Sequence, residues 1–263
     1  MTWLDSLFFL SLLIYVRTES KPTILCMIHT ATPSHSTRAA TILRTWASRC
    51  DDFLFFTDSP MDQSIPHIYW PELNTRDHSW EKIRLVFKHA VKSMKKYDWY
   101  LRADDDAYVL VHNVRTVLQA YNSTENHFLG YRWNFFVKEG FNDGAVYLLS
   151  RPTAEAFAEI QNDPVKCPSH HRAEEDQEIS KCLGYLGIFP EDTRDDEGSD
   201  RFQHFHPLEQ FESFKTDFNR KFAYYPILKE IHNFSPTLMS FHHISPYEMQ
   251  LIDFLLYELN HYE

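Results

Sequence analysis

Glycine is scarce in this chain, with 6 among 263 residues, and neither a GxGxxG run nor a Walker pattern occurs. A glycine loop that cradles phosphate on backbone amides is thereby excluded, so any phosphate must be held by other means. Basic charge is also short: 26 Lys and Arg face 37 Asp and Glu, a formal net charge of -11. That balance disfavours nucleic acid as a partner and suggests a cation among the ligands. No apolar run reaches the roughly 17 to 25 residues of a membrane span. Leu7 to Val16 comes nearest, broken by Ser11 and followed by Arg17 and Lys21. It reads as a signal sequence or short signal anchor, with residues 1–20 its leader and very short stem and residues 21–263 one continuous domain.

Cysteine is limited to Cys26, Cys50, Cys167 and Cys182, two local pairs that three connectivities could join. The sequons at Asn122 and Asn233 favour a secretory compartment, the second weakened by Pro236. Aromatic residues are plentiful, 21 Phe, 14 Tyr and 6 Trp, and suit a pocket that stacks bases or sugar rings.

The charge that is abundant is concentrated at one place. Trp99-Tyr-Leu-Arg-Ala-Asp-Asp-Asp-Ala-Tyr-Val ends an alternating apolar strand on three carboxylates, Asp104, Asp105 and Asp106. Adjacent like charges raise one another's pKa, and a bound cation removes that cost. If the extended backbone continues, Asp104 and Asp106 share a face and Asp105 opposes them. Such a pair at a strand's carboxyl end, where α/β sheets bind ligands, can hold a hard divalent ion that in turn holds phosphates.

Strand and helix patterns alternate through the first half. Thr23 to His29, Phe53 to Phe56 and His67 to Trp70 read as strands, Ser36 to Trp46 and Ser79 to Lys95 as helices. This predicts an α/β domain with one mostly parallel sheet flanked by helices. Further on, helices are expected at about 150–160 and 175–183, a turn at Gly140-Phe-Asn-Asp-Gly144 and long ordered loops over 190–237. A capping box, Ser245-Pro-Tyr-Glu248, opens a last helix whose Met249, Ile252, Leu255, Leu256 and Leu259 form an apolar stripe expected to pack on the core.

Other residues could serve the same site. Lys82, in the first turn of its helix, stands against the dipole preference and invites an anionic partner such as a diphosphate. Glu174-Glu175-Asp176 could supply a general base. His242, in Ser240-Phe-His-His, could complete a metal site begun by carboxylates.

Together these segments resemble the core 1 β1,3-galactosyltransferases, a branch of the fringe-like β1,3-glycosyltransferase superfamily. The landmarks fall in order from Ile24-Leu-Cys26 through Thr45-Trp-Ala-Ser-Arg-Cys50, Trp80-Glu-Lys82, the aspartate strand, Gly130-Tyr-Arg, Glu175-Asp176, Asp192-Thr-Arg-Asp195, Phe205-His-Pro207 and Tyr224-Tyr-Pro226 to Ser240-Phe-His242. The resemblance implies a GT-A, Rossmann-like fold, UDP-galactose as donor, Mn²⁺ as cofactor and GalNAc linked to Ser or Thr of a glycoprotein as acceptor. It also implies a Golgi enzyme of single-pass type II topology with a lumenal catalytic domain, and leaves room for a homodimer.

By position it makes Asp104, Asp106 and His242 the metal ligands and Asp176 the catalytic base. Lys82, Asp104 and Asp105 fall on the donor side, and Asp143, Gly144, Glu175 and Tyr225 border sugar and acceptor. It pairs Cys26 with Cys50 and Cys167 with Cys182. Asn142-Asp-Gly144-Ala-Val-Tyr147 departs from the family's Ser-Gly-Gly-Ala-Gly-Tyr, which keeps a different UDP-sugar as an alternative; a separate alternative is an inactive chaperone-like or binding relative, against which the retained Asp104 to Asp106, Asp176 and His242 stand.

Overall fold

A computed structural model describes residues 21–259, so the leader expected over residues 1–20 lies outside the described residues. The first half runs β1 (Ile24–His29), α1 (Ala40–Arg44), β2 (Asp52–Thr57), β3 (His67–Tyr69), α2 (Ser79–Ser93), β4 (Trp99–Asp104), β5 (Tyr108–Val109) and α3 (Val111–Leu118). The second half runs β6 (Phe128–Trp133), β7 (Phe141–Ser150), α4 (Arg151–Ile160), α5 (Glu175–Gly184), α6 (Pro207–Phe211), α7 (Asp217–Phe222), β8 (Ser240–Phe241) and α8 (Pro246–Asp253).

Strands with apolar residues on both faces must be covered on both, which is the condition for a central sheet. In β1, Ile24, Cys26 and Ile28 join one core with Trp99, Leu101 and Ala103 of β4, under α1, α3 and α8. The intervening Leu25 and Met27, with Tyr100, join the other core under α2, α4 and α5. The six strands lie in the order β3-β2-β1-β4-β7-β6. β3, β2, β1 and β4 are mutually parallel, and β7 runs antiparallel to both of its neighbours. Both disulfides form, Cys26 to Cys50 and Cys167 to Cys182, in the sequential pairing.

Several expectations are corrected. The helix expected from Ser36 to Trp46 is regular only over α1, preceded by a wider turn at His35–Ala39. It stops at Thr45, whose hydroxyl bonds back to the Thr41 carbonyl at 2.9 Å. The turn expected at Gly140 to Gly144 is confined to Gly140, at φ +75°, and β7 already begins at Phe141 because its neighbour β6 offers a ladder there. The region 190–237 is not all loop, since α6 and α7 lie within it. Asn122 is exposed, but Asn233 is buried with neither amide atom partnered, so its sequon does not present a side chain for glycosylation.

The last helix begins with the expected capping box, Ser245 and Glu248 each bonding the other's backbone amide. Its stripe does not pack as expected. Met249 is buried and Ile252 packs on the core, whereas Leu255, Leu256 and Leu259 are each close to half exposed. The chain widens to a π-type turn over Phe254–Glu258, which rotates the later leucines off the 3.6-residue register. What holds the helix is Asp253, which accepts from Arg49 Nη1 at 2.6 Å, Arg49 Nη2 at 3.0 Å and the Tyr108 hydroxyl at 2.7 Å. Removing one partner of a buried pair strands the other, so Asp253→Ala is expected to lower stability by about 3 kcal/mol in denaturant unfolding. Leu255→Ala should change it far less.

Candidate active site

The carboxyl ends of β1 and β4 meet at one cleft of about 440 Å³. Its walls include His29, Thr30, Arg38, Lys82, Arg102, Asp104, Asp105, Asp106, Gly144, Glu175, Asp176, His242 and His243. The sheet edge therefore collects residues from the whole length of the chain, as expected for ligand sites in open α/β sheets.

β4 ends at Asp104, so strand alternation does not govern the next two carboxylates, and the expected opposition of Asp105 to the other two does not hold. Asp105 lines the same cleft and is fixed by the Thr30 hydroxyl at 2.6 Å and Arg38 Nη1 at 3.1 Å. Burial raises its pKa. The turn itself is anchored by Trp46, whose indole donates to the Ala107 carbonyl at 3.1 Å.

Immediately after the turn, β5 pairs antiparallel with β8, placing Tyr108 opposite Phe241. That short ladder brings His242 to Asp106, with Nε2 3.2 Å from Oδ1. The other ring nitrogen of His242 bonds the His204 carbonyl at 2.9 Å, which orients the imidazole as outer-shell partners of metal ligands do. His243 adopts the left-handed region, φ +57°, and its ring lies 4.0 Å from that of His242. The backbone is held in this conformation by the Ile244 amide, which donates to the Asp106 carbonyl at 2.8 Å. Ligand atoms of Asp106, His242 and His243 lie within 4.8 Å of one another. Burial opposes ionisation of both partners, yet their mutual bond holds Asp106 below its ordinary value and lifts His242 to about 9. One carboxylate and two imidazoles are a donor set that fits a divalent ion such as Mn²⁺.

Asp104 is placed differently. Arg102, buried in β4, forms ion pairs with Asp104 Oδ1 at 2.7 Å and Glu175 Oε1 at 3.0 Å, while His29 Nδ1 stands 3.7 Å from Asp104. Against the burial penalty, the Arg102 charge holds Asp104 well below the usual carboxylate range. Asp104 is outside the group formed by Asp106, His242 and His243. Glu175 also accepts from the Tyr147 hydroxyl at 2.9 Å, and burial pushes its carboxyl up to about 7.

Asp176, the next residue on α5, opens onto the cleft. Its Oδ2 accepts from the Gly144 amide at 3.1 Å and its Oδ1 from the Gln177 amide at 2.8 Å. A Cβ added to Gly144 would stand 3.4 Å from Asp176 Oδ2, so glycine there leaves this face of the carboxylate uncrowded. Burial, with the Glu175 and Asp143 charges, pushes Asp176 well above its ordinary value. Such a carboxyl is suited to holding and releasing a proton. Lys82, buried in the first turn of α2, faces the cleft, and burial lowers its ammonium pKa.

Two expected residues are not gathered at the cleft. Tyr225 bonds Arg132 through its hydroxyl at 3.2 Å and stacks under Arg194, with 4.1 Å to the ring centre. Asp143 turns to the Trp133 indole at 2.7 Å and the Ala145 amide at 2.8 Å. Conversely, His29, Thr30, Arg38 and His243 line the cleft without having been singled out as ligands. His29 and Thr30 were accessible as the residues ending the first parallel strand, the usual ligand edge. Arg38 had no comparable signal.

Comparison with known proteins supplies the class. The fringe-like family matches residues 19–135. Over 247 residues the chain is 30% identical to glycoprotein-N-acetylgalactosamine 3-beta-galactosyltransferase 1 of Xenopus laevis, covering 92% of this chain and 68% of that protein. It is 25% identical over 173 residues to a beta-1,3-glucosyltransferase of Mus musculus, covering 64% of this chain and 34% of that one. Among solved structures it is similar to an active-site mutant of LgtC, with a TM-score of 0.47 and 13% identity over 83% of this chain and 86% of that one. The chain is thus a glycosyltransferase. Within that class it belongs to the core 1 β1,3-galactosyltransferase family, together with the Xenopus protein.

Proposed function

We propose that this enzyme transfers galactose from UDP-galactose, with inversion, to the 3-hydroxyl of GalNAc linked to Ser or Thr of a glycoprotein. The observation that carries the reading is Asp176, held at 3.1 Å by the Gly144 amide in the same cleft as Asp106 and His242. In the transfer, Asp176 takes the proton of the acceptor hydroxyl as its oxygen bonds the anomeric carbon. The bond from that carbon to the diphosphate breaks, and its electron pair leaves with UDP. Asp106, His242 and His243 would hold Mn²⁺, which when bound supplies Lewis-acid stabilisation to the leaving diphosphate. Lys82 and Arg38 lend positive charge to the same wall. Glu175 lies beneath Asp176, tied to Arg102 and Tyr147, and acts as a positioning residue.

The buried disulfide pairs are consistent with an oxidising lumen. We place the enzyme in the Golgi as a type II membrane protein anchored by its amino terminus. Among the described residues, no helix is long and apolar enough to cross a membrane.

The test is transfer by the purified lumenal domain across a panel of UDP-sugars, with a GalNAc-peptide as acceptor and with Mn²⁺ or chelator present. Galactose transfer that stops on chelation is expected. Transfer only of another sugar would overturn the donor assignment, and UDP binding without any transfer would overturn catalysis.

A further inference from the structure

A second donor cluster stands apart from Asp106 and His242, at the outer end of α2. His78 is the residue capping that helix, and Glu81 follows three positions later, the spacing that puts two side chains on one face. His171 comes to them from the segment between the Cys167 disulfide and α5. That segment is fastened to the start of α2 by backbone and indole alike: the Trp80 amide donates to the Arg172 carbonyl at 3.0 Å, and the Trp80 indole to the Pro168 carbonyl at 2.9 Å. Ligand atoms of His78, Glu81 and His171 all lie within 4.8 Å of one another.

Three details go beyond chance proximity. The second carboxylate oxygen of Glu81 is buried with no hydrogen-bond partner, although the first meets His171 Nδ1. An unpaired buried oxygen of this kind is costly and calls for a ligand. The ring of His78 is oriented by the Thr75 hydroxyl, 2.9 Å from Nδ1, which leaves Nε2 free to coordinate. The His78 and His171 rings stand perpendicular with centres 4.7 Å apart, so they approach the space beside Glu81 from two directions.

We propose that His78, Glu81 and His171 form a second divalent-metal site, suited to Zn²⁺, with water in the fourth position. Two imidazoles and one carboxylate are a zinc donor set, and three protein ligands leave one coordination position open. Ligand atoms around tetrahedral zinc stand roughly 3.4 Å apart, so closure requires side-chain shifts of about 1 Å, which the exposed His171 can make. The ion would clamp the segment leading to Glu175 and Asp176 onto the helix that carries Lys82. The assignment does not rest on the transfer reaction proposed above.

The test uses the lumenal domain with Asp106→Ala, which disables the other cluster, stripped of metal and dialysed against Zn²⁺. One tightly bound Zn²⁺ per chain is expected. Adding His171→Ala, at an exposed position whose loss leaves the core intact, should weaken that binding at least about tenfold, and Glu81→Gln should do the same. Zn²⁺ should also raise the thermal midpoint of the Asp106→Ala protein but not that of the double variant. Failure of the Asp106→Ala protein to bind Zn²⁺, or equal binding with His171→Ala, overturns the site. Circular dichroism of each variant separates loss of a ligand from loss of fold.

Discussion

Asp176→Asn is expected to lower kcat by about 10² to 10⁴-fold, the usual contribution of a positioned general base. Asparagine keeps the shape and the Gly144 contact but cannot take a proton from the acceptor hydroxyl. Donor binding and the circular dichroism spectrum should therefore be unchanged. The wild-type pH profile follows from the same group. Burial and the neighbouring Glu175 and Asp143 charges raise the Asp176 pKa, so at low pH it is protonated and cannot act as base. Activity should rise with pH through that raised value. Glu175→Gln removes one of the neighbouring charges and should move the rising limb to lower pH, a readout that a purely structural role for Glu175 would leave in place. Wild-type turnover by Asp176→Asn would remove this residue from the mechanism.

Asp106→Ala is expected to cost turnover by about 10²-fold or more, because stabilisation of a leaving diphosphate by a bound metal amounts to several kcal/mol. His242→Ala should act in the same direction, since the two side chains meet at 3.2 Å and neither alone makes a site. Both variants should need far higher Mn²⁺ for the same rate. Asp104→Asn separates the carboxylates by role. Asp104 is ion-paired with buried Arg102, so its neutralisation should lower the unfolding midpoint while changing the Mn²⁺ requirement less than Asp106→Ala does. A titration of rate against Mn²⁺ for the three variants checks this order. Equal Mn²⁺ dependence in wild type and Asp106→Ala would exclude Asp106 as a ligand.

Local pattern carried much of the architecture. The succession of strand and helix patterns announced a mostly parallel sheet flanked by helices, and the Ser245 to Glu248 box marked the start of α8. Pattern failed where a partner distant in sequence decided the outcome. The segment after Gly140 reads as a turn on its own, yet β6 recruits it into β7. The leucines after Asp253 read as a buried stripe, yet the helix is held by Asp253 with Arg49 and Tyr108, and the widened turn leaves those leucines half exposed. Asn233 satisfies a sequon, but packing hides it.

The candidate site divides along the same line. Sequence alone determined that three carboxylates end an apolar strand, that a cation would relieve their repulsion, and that Asp176 and His242 were available to join them. Such conclusions need only residue type and near neighbours. Tertiary structure decided which carboxylate faces which partner: Arg102 draws Asp104 to Glu175, Thr30 and Arg38 take Asp105, and the pairing of β5 with β8 delivers His242 to Asp106. It likewise brought His171 to the start of α2. The reason is physical: the strength of a charge interaction depends on separation and burial, and both are set by chain crossings that no local pattern encodes.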